Sequence, residues 1–151
     1  MRLINQICRL ILIVGAFAST ISYAQELTLP VEHQYSILQK ILGYDRNLKQ
    51  RCGEDITIAV IYQSRYSLSE IVMEDLMEIF ETSDATNLIS GLPVNFVLID
   101  LSEMKLEPTY AGAKIDVFYV APLRATSISK IFEISRPNQI LTVSTVIDYN
   151  Y

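Results

Sequence analysis

The sequence predicts an α/β protein built on a mostly parallel sheet of about four strands, with helices on both faces. Three observations carry this. Four runs, ITIAVIY (Ile56–Tyr62), VNFVLIDL (Val94–Leu101), IDVFYV (Ile115–Val120) and QILTVSTV (Gln139–Val146), are β-branched or apolar with little polar alternation. Strands buried on both faces read this way. Between or before them lie segments whose apolar residues recur at helical spacing. The two kinds alternate along the chain, as parallel strands joined by helical crossovers must.

Residues 1–24 read as an export signal. Arg2 and Arg9 charge its front, Leu10 to Phe17 is apolar, and Ser22-Tyr23-Ala24 fits the small-residue cleavage rule. The apolar run is shorter than the roughly 18 residues a membrane span requires. Cleavage after Ala24 leaves 127 residues, from 151 less 24, and one domain is expected at that length. The signal removes two arginines and no acids, so 10 cations face 17 acids, a net charge of −7. An acidic chain of this kind lacks the basic footprint of a nucleic-acid binder. Cys8 leaves with the signal, and Cys52 then has no partner for an internal disulfide.

Val31–Tyr44 is the first expected helix, with Val31, Tyr35, Leu38, Ile41 and Leu42 at helical spacing and Gly43 near its end. A polar connection, YDRNLKQRCGED, leads to the first strand. In the next helix Ser67 and Glu70 have the spacing of a capping box. Leu68, Ile71, Val72, Leu76, Ile79 and Phe80 form its apolar face, and Glu70, Glu74, Glu78 and Glu81 a solvated one. The loop TSDATNLISGL precedes the second strand, and an irregular or weakly helical piece, 102–114, the third. Ser127–Ile134 is the last helix, with Ile128, Ile131 and Phe132 inward and Pro137 as its stop. The expected strand order is 2-1-3-4, a Rossmann-like or flavodoxin-like arrangement.

The residues exclude several chemistries. There is no G-x-G-x-x-G, no Walker A and no G-x-S-x-G. His33, the only histidine, supports neither a catalytic triad nor a zinc site. No catalytic residue, metal or cofactor is expected. What remains is positional. In a parallel sheet, ligands and partners are met outside the carboxyl ends of the strands. The apolar Ile115–Val120 run opens there into Pro122, Arg124, Thr126 and Ser127, and the first strand into Arg65, Tyr66 and Ser67. Asp100 and Thr145 end the other two strands. Arg65 and Arg124 are forked donors for a carboxylate or small anionic ligand, and Ser67 and Ser127 stand near helix starts that present amides to an anion. The cluster Lys40, Arg46, Lys49 and Arg51 is expected to be a solvated helix end.

The segments ILQKILGYDRNLKQRCGEDITIAVIYQ, GLPVNFVLIDL, KIDVFYVAPL and ILTVST resemble, in their order, the YfiR-like family of periplasmic proteins, largely of unknown function. The resemblance implies a non-enzymatic exported regulator, similar in plan to half of a periplasmic binding protein. Such a regulator binds an inner-membrane signalling protein such as a diguanylate cyclase. The alternative expectation is a small-molecule binding module of the periplasmic binding-protein type. The sequence departs from the family in its unpaired Cys52 and in ending at YNY directly after the fourth strand. A C-terminally shortened domain over 25–151 is therefore expected, with an uncovered sheet edge open to homodimerisation.

Overall fold

The computed structural model describes residues 29–82, 88–110, 112–124 and 128–146. Residues 1–28, which include the expected signal, lie outside it, as do Thr126 and Ser127. No helix among the described residues is long and apolar enough to cross a membrane.

Helix α1, Val31–Tyr44, has the bounds its spacing predicts. It buries Val31, Tyr35, Leu38 and Leu42, while Ile41 faces outward at 46% exposure. The polar connection contains a short helix the sequence did not announce, α2, Leu48–Cys52. Its one fully apolar anchor, Leu48, is buried, and Gly53 ends it at φ +87°, a conformation glycine reaches without strain. Strand β1, Ile56–Tyr62, follows as expected. Helix α3, Ser67–Thr82, turns its face by about a residue from the expected one: Ser69, Val72 and Leu76 are buried, and Ile71 is exposed.

Past the helix, β2, Leu88–Ile89, folds back antiparallel on β3, Leu92–Asp100, through Ser90 and Gly91. Both turn residues have positive φ, 54° and 82°, as a two-residue hairpin requires. The irregular piece that follows opens with a single turn, Met104 N donating to Asp100 O at 2.9 Å, and then holds a small hairpin: β4, Thr109–Tyr110, with β5, Ala113–Lys114. Then come β6, Val117–Val120, helix α4, Ile128–Ser135, and β7, Leu141–Ser144. In α4, Ile131 is fully buried and Ile128 and Ile134 pack with it. Phe132 is half-buried, with the Arg136 guanidinium 5.3 Å from its ring centre.

The main sheet has five strands in the order β2-β3-β1-β6-β7. Its four longer strands run parallel and stand in the expected 2-1-3-4 order, and β2 is an antiparallel edge. In register, Ile58 of β1 lies between Phe96 of β3 and Val117 of β6. Alternation sends Ile56, Ile58, Val60, Val117 and Tyr119 to one face, beneath α1, α2 and α3. Ala59, Ile61, Phe118 and Val120 go to the other, beneath α4 and the chain after β3. The α3 and α4 crossovers step in opposite directions along the sheet and cover opposite faces, as crossovers of one hand must. Burial falls off toward the edges. β1 and β6 are buried on both faces, whereas Asn95 and Leu98 of β3 are exposed, Val97 is half-buried, and so are Leu141 and Val143 of β7. β2 pairs only with Leu92 and Pro93, so beyond its first two residues β3 lacks on its outer side the neighbour that β1 has on both, and its apolar run is not matched by full burial.

Candidate functional site

The carboxyl ends of β1, β3, β6 and β7 converge on one edge, and main-chain bonds carry the ladder past the strands. Leu101 N donates to Tyr62 O at 2.8 Å, Ala121 N to Ile61 O at 3.0 Å and Thr145 N to Val120 O at 3.1 Å. Asp100 sits at the base of this edge, 8% exposed. Its Oδ1 accepts from Ser64 N at 3.1 Å and Ser102 N at 2.9 Å. Burial alone would raise its pKa, but the hydrogen bonds from Ser64 and Ser102 outweigh this and hold the carboxyl below the usual range. Asp100 therefore anchors two loops from within rather than facing a partner.

Gln63 performs the matching task between the loop after β1, in which it lies, and the loop after β6. Its amide donates to the buried Ser69 hydroxyl at 2.9 Å, and its side-chain Oε1 accepts from Arg124 N at 2.7 Å. Helix α3 starts one residue earlier than the capping-box reading requires. Tyr66 O accepts from Ser69 N at 2.8 Å and Glu70 N at 3.1 Å, so Tyr66 holds the N-cap position and Ser67 is the first helical residue. The expected Ser67–Glu70 box is thereby out of register, and Ser69 bonds back to Gln63 instead.

Above this framework stand the charged side chains. The Arg124 guanidinium lies 4.4 Å from the centre of the Tyr66 ring, within cation–π range. Arg65 pairs with Glu103 at 2.8 Å, both side chains well exposed, and its amide donates to Ser102 Oγ at 3.3 Å. Of the residues proposed from sequence, Arg65, Tyr66 and Arg124 thus form a surface patch and Ser67 is exposed beside it. Thr145 turns inward: 6% exposed, its hydroxyl donates to Val120 O at 3.2 Å and closes β7 onto β6. Sequence reasoning placed Gln63 in the loop after the first strand but not its bond to Arg124 N, and it missed Glu103. Only the acid directly after Ser102, in the loop leaving β3, hinted at Glu103.

A second polar cluster lies at the opposite, amino edge. Arg51 donates to Asp116 O at 3.2 Å and pairs with Asp45 at 3.3 Å. Lys114 Nζ donates to Arg51 O at 2.7 Å. Asp116 is 3% exposed, and its Oδ2 accepts from Thr57 N at 3.0 Å. Of the four cations expected as a solvated helix end, Lys40, Arg46 and Lys49 are exposed, but Arg51 is half-buried and bound. The nearby Cys52 thiol is pushed up to about 11 by burial. The Asp116 carboxylate adds to the shift, against Arg51 and Lys114. No group of three or more His, Cys, Asp or Glu side chains arranged to hold a metal occurs among the described residues.

Compared with family models, curated proteins and solved structures, the chain matches none.

Proposed function

We propose that this chain is a non-enzymatic binding protein that docks a partner on the carboxyl-edge patch of Arg65, Tyr66, Arg124 and Glu103. The observation that carries the reading is the Arg124–Tyr66 stack at 4.4 Å beside the exposed Arg65–Glu103 pair. Arginine and tyrosine are the residue types that most often supply binding energy at interfaces. The loops bearing them are fixed from below by Asp100 and Gln63, so little ordering cost attends binding. An exposed ion pair is worth at most about 1 kcal/mol. A carboxylate on the partner can replace Glu103 at Arg65 with little loss.

The resemblance to YfiR-like proteins supports an exported regulator whose partner is an inner-membrane signalling protein, a diguanylate cyclase being the type implied. The parallel 2-1-3-4 order supports the finer reading of the fold as Rossmann-like, similar to half of a periplasmic binding protein. The test is a photo-cross-linker at position 66 of the full chain, expressed in cells, with the cross-linked protein identified by mass spectrometry. A membrane signalling protein should be captured, and Arg65→Ala with Arg124→Ala should abolish capture while leaving the fold intact. Equal capture by the double variant, or none by folded wild type, overturns the proposal.

A further inference from the structure

The geometry points to a second binding site, at the amino edge of the sheet, for a small neutral molecule bearing hydroxyl or amide groups. A cleft of about 520 Å³ opens there, lined among others by Asn47, Gln50, Arg51, Lys114, Asp116 and Gln139. That volume lies within the range of small-molecule sites. The buried Asp116 carries the inference. Its Oδ2 is satisfied by Thr57 N, and the Cys52 thiol, a weak donor, stands beside the carboxylate, but Oδ1 has no hydrogen-bond partner within bonding distance among the described residues. The nearest cation, Lys114 Nζ, is 3.8 Å from Oδ1, too far to hydrogen-bond, and it is held there by its 2.7 Å bond to Arg51 O. A buried carboxylate oxygen left open costs free energy that an incoming donor recovers.

The rest of the lining selects the class of donor. Of the charged lining residues, Lys114 faces Asp116, and Arg51 is paired with Asp45, which stands outside the lining, so each cation already has a carboxylate beside it and neither is left to hold an anion. Asn47, Gln50 and Gln139 each bring an amide that both donates and accepts, the complement of hydroxyls and amides. Gln139 also holds φ +57°, a left-handed conformation that a non-glycine residue adopts at a cost, where the chain turns from α4 into β7. The ligand's donor meets Asp116 Oδ1, and its remaining polar groups meet the side-chain amides. Sugar hydroxyls and peptide amides share this chemistry.

The test uses the full chain, ¹⁵N-labelled, titrated with N-acetylglucosamine in one arm and N-acetylglycinamide in the other. At least one probe should give saturable shifts in the side-chain amide signals of Asn47, Gln50 and Gln139 and in the backbone amide of Asp116. The arm that responds identifies the source. Asp116→Asn sets an NH₂ where Oδ1 stood, opposing donor to donor, and should weaken binding by about tenfold or more. Gln139→Ala, at an exposed side chain, should weaken binding in a protein whose spectrum remains native. No saturable shift with either probe into the tens of millimolar, shifts confined to the Arg65 and Arg124 loops, or undiminished binding by a folded Asp116→Asn protein would each overturn the inference.

Discussion

Cys52 offers a direct check on the electrostatics of the amino edge. From an ordinary value of 9.0, burial and Asp116 push this thiol up to about 11. At pH 7.5 that difference lowers the thiolate fraction by roughly 100-fold. A more basic thiolate is also a better nucleophile, and a Brønsted coefficient of about 0.4–0.5 returns roughly six- to tenfold. Alkylation of folded protein by iodoacetamide should therefore run about 10- to 15-fold slower than in urea. The rate is read by mass spectrometry on the tryptic peptide that begins at Cys52, which keeps Cys8 out of the measurement. The folded rate should still be climbing above pH 9, and Asp116→Asn should raise it by removing a repelling charge. The same shift has a thermodynamic sign. Between 9.0 and about 11 the native state holds a proton the unfolded chain has released, so stability falls as pH rises through that window, and Cys52→Ala should flatten the fall. A folded rate within a few-fold of the unfolded one, or a plateau near pH 9, would refute the placement of this thiol beside the Asp116 carboxylate.

Asp100→Asn should cost about 1–3 kcal/mol in urea denaturation, because it weakens the bonds from Ser64 N and Ser102 N to a buried oxygen. Since the Asp100 carboxyl is held below its ordinary value, its contribution is present above about pH 4 and is lost as pH falls through the folded pKa. The variant should accordingly lose stability less steeply than wild type on the acid side. Val60→Asp, in the fully buried centre of β1, should abolish the cooperative unfolding transition. Val97→Asp, at a half-buried position of β3, should leave a folded if weakened protein, and circular dichroism melts of the pair would expose an error in the sheet order if the outcomes reversed.

The elements legible in the sequence are those whose pattern is local and long. Fourteen residues of α1 and seven of β1 have the predicted bounds, because a helical stripe and an unbroken β-branched run each repeat their signal several times over. The strand order followed from crossover rules rather than from any residue. Short elements escaped for the opposite reason. The five residues of α2 have one buried residue, Leu48, too few for a periodic pattern, and the two residues of β2 lean on a Ser90–Gly91 turn that reads equally well as loop. The carboxyl-edge site was placed by topology, and Arg65, Tyr66 and Arg124 were named from it. Their partners were not legible, since Glu103 stands 38 residues from Arg65 and Gln63 stands 61 from Arg124. Asp116 was hidden more deeply still. It reads as one polar residue within an apolar strand, and only the fold brings Arg51 to it across 65 residues.

The two edges differ in how their buried polar atoms are spent, and that difference separates their roles. At the carboxyl edge the Asp100 Oδ1, the Gln63 Oε1 and the Ser69 hydroxyl all have partners within the chain. Polarity there stiffens the loops, and what faces outward is large, charged and aromatic, suited to another protein. At the amino edge the framework is incomplete: the buried Asp116 Oδ1 has no hydrogen-bond partner among the described residues, and Asp116 lines a cleft suited to something small enough to enter. The seven residues of β1 set the edges about 20 Å apart at 3.3 Å per residue. That exceeds both the screening length of about 10 Å and the 7–10 Å over which substitutions usually couple. Effects of Asp116→Asn and of the Arg65→Ala, Arg124→Ala pair on binding should therefore add to within about 0.5 kcal/mol. A larger coupling energy would mean that β1 transmits occupancy from one edge to the other, which requires two arrangements of a strand buried on both faces.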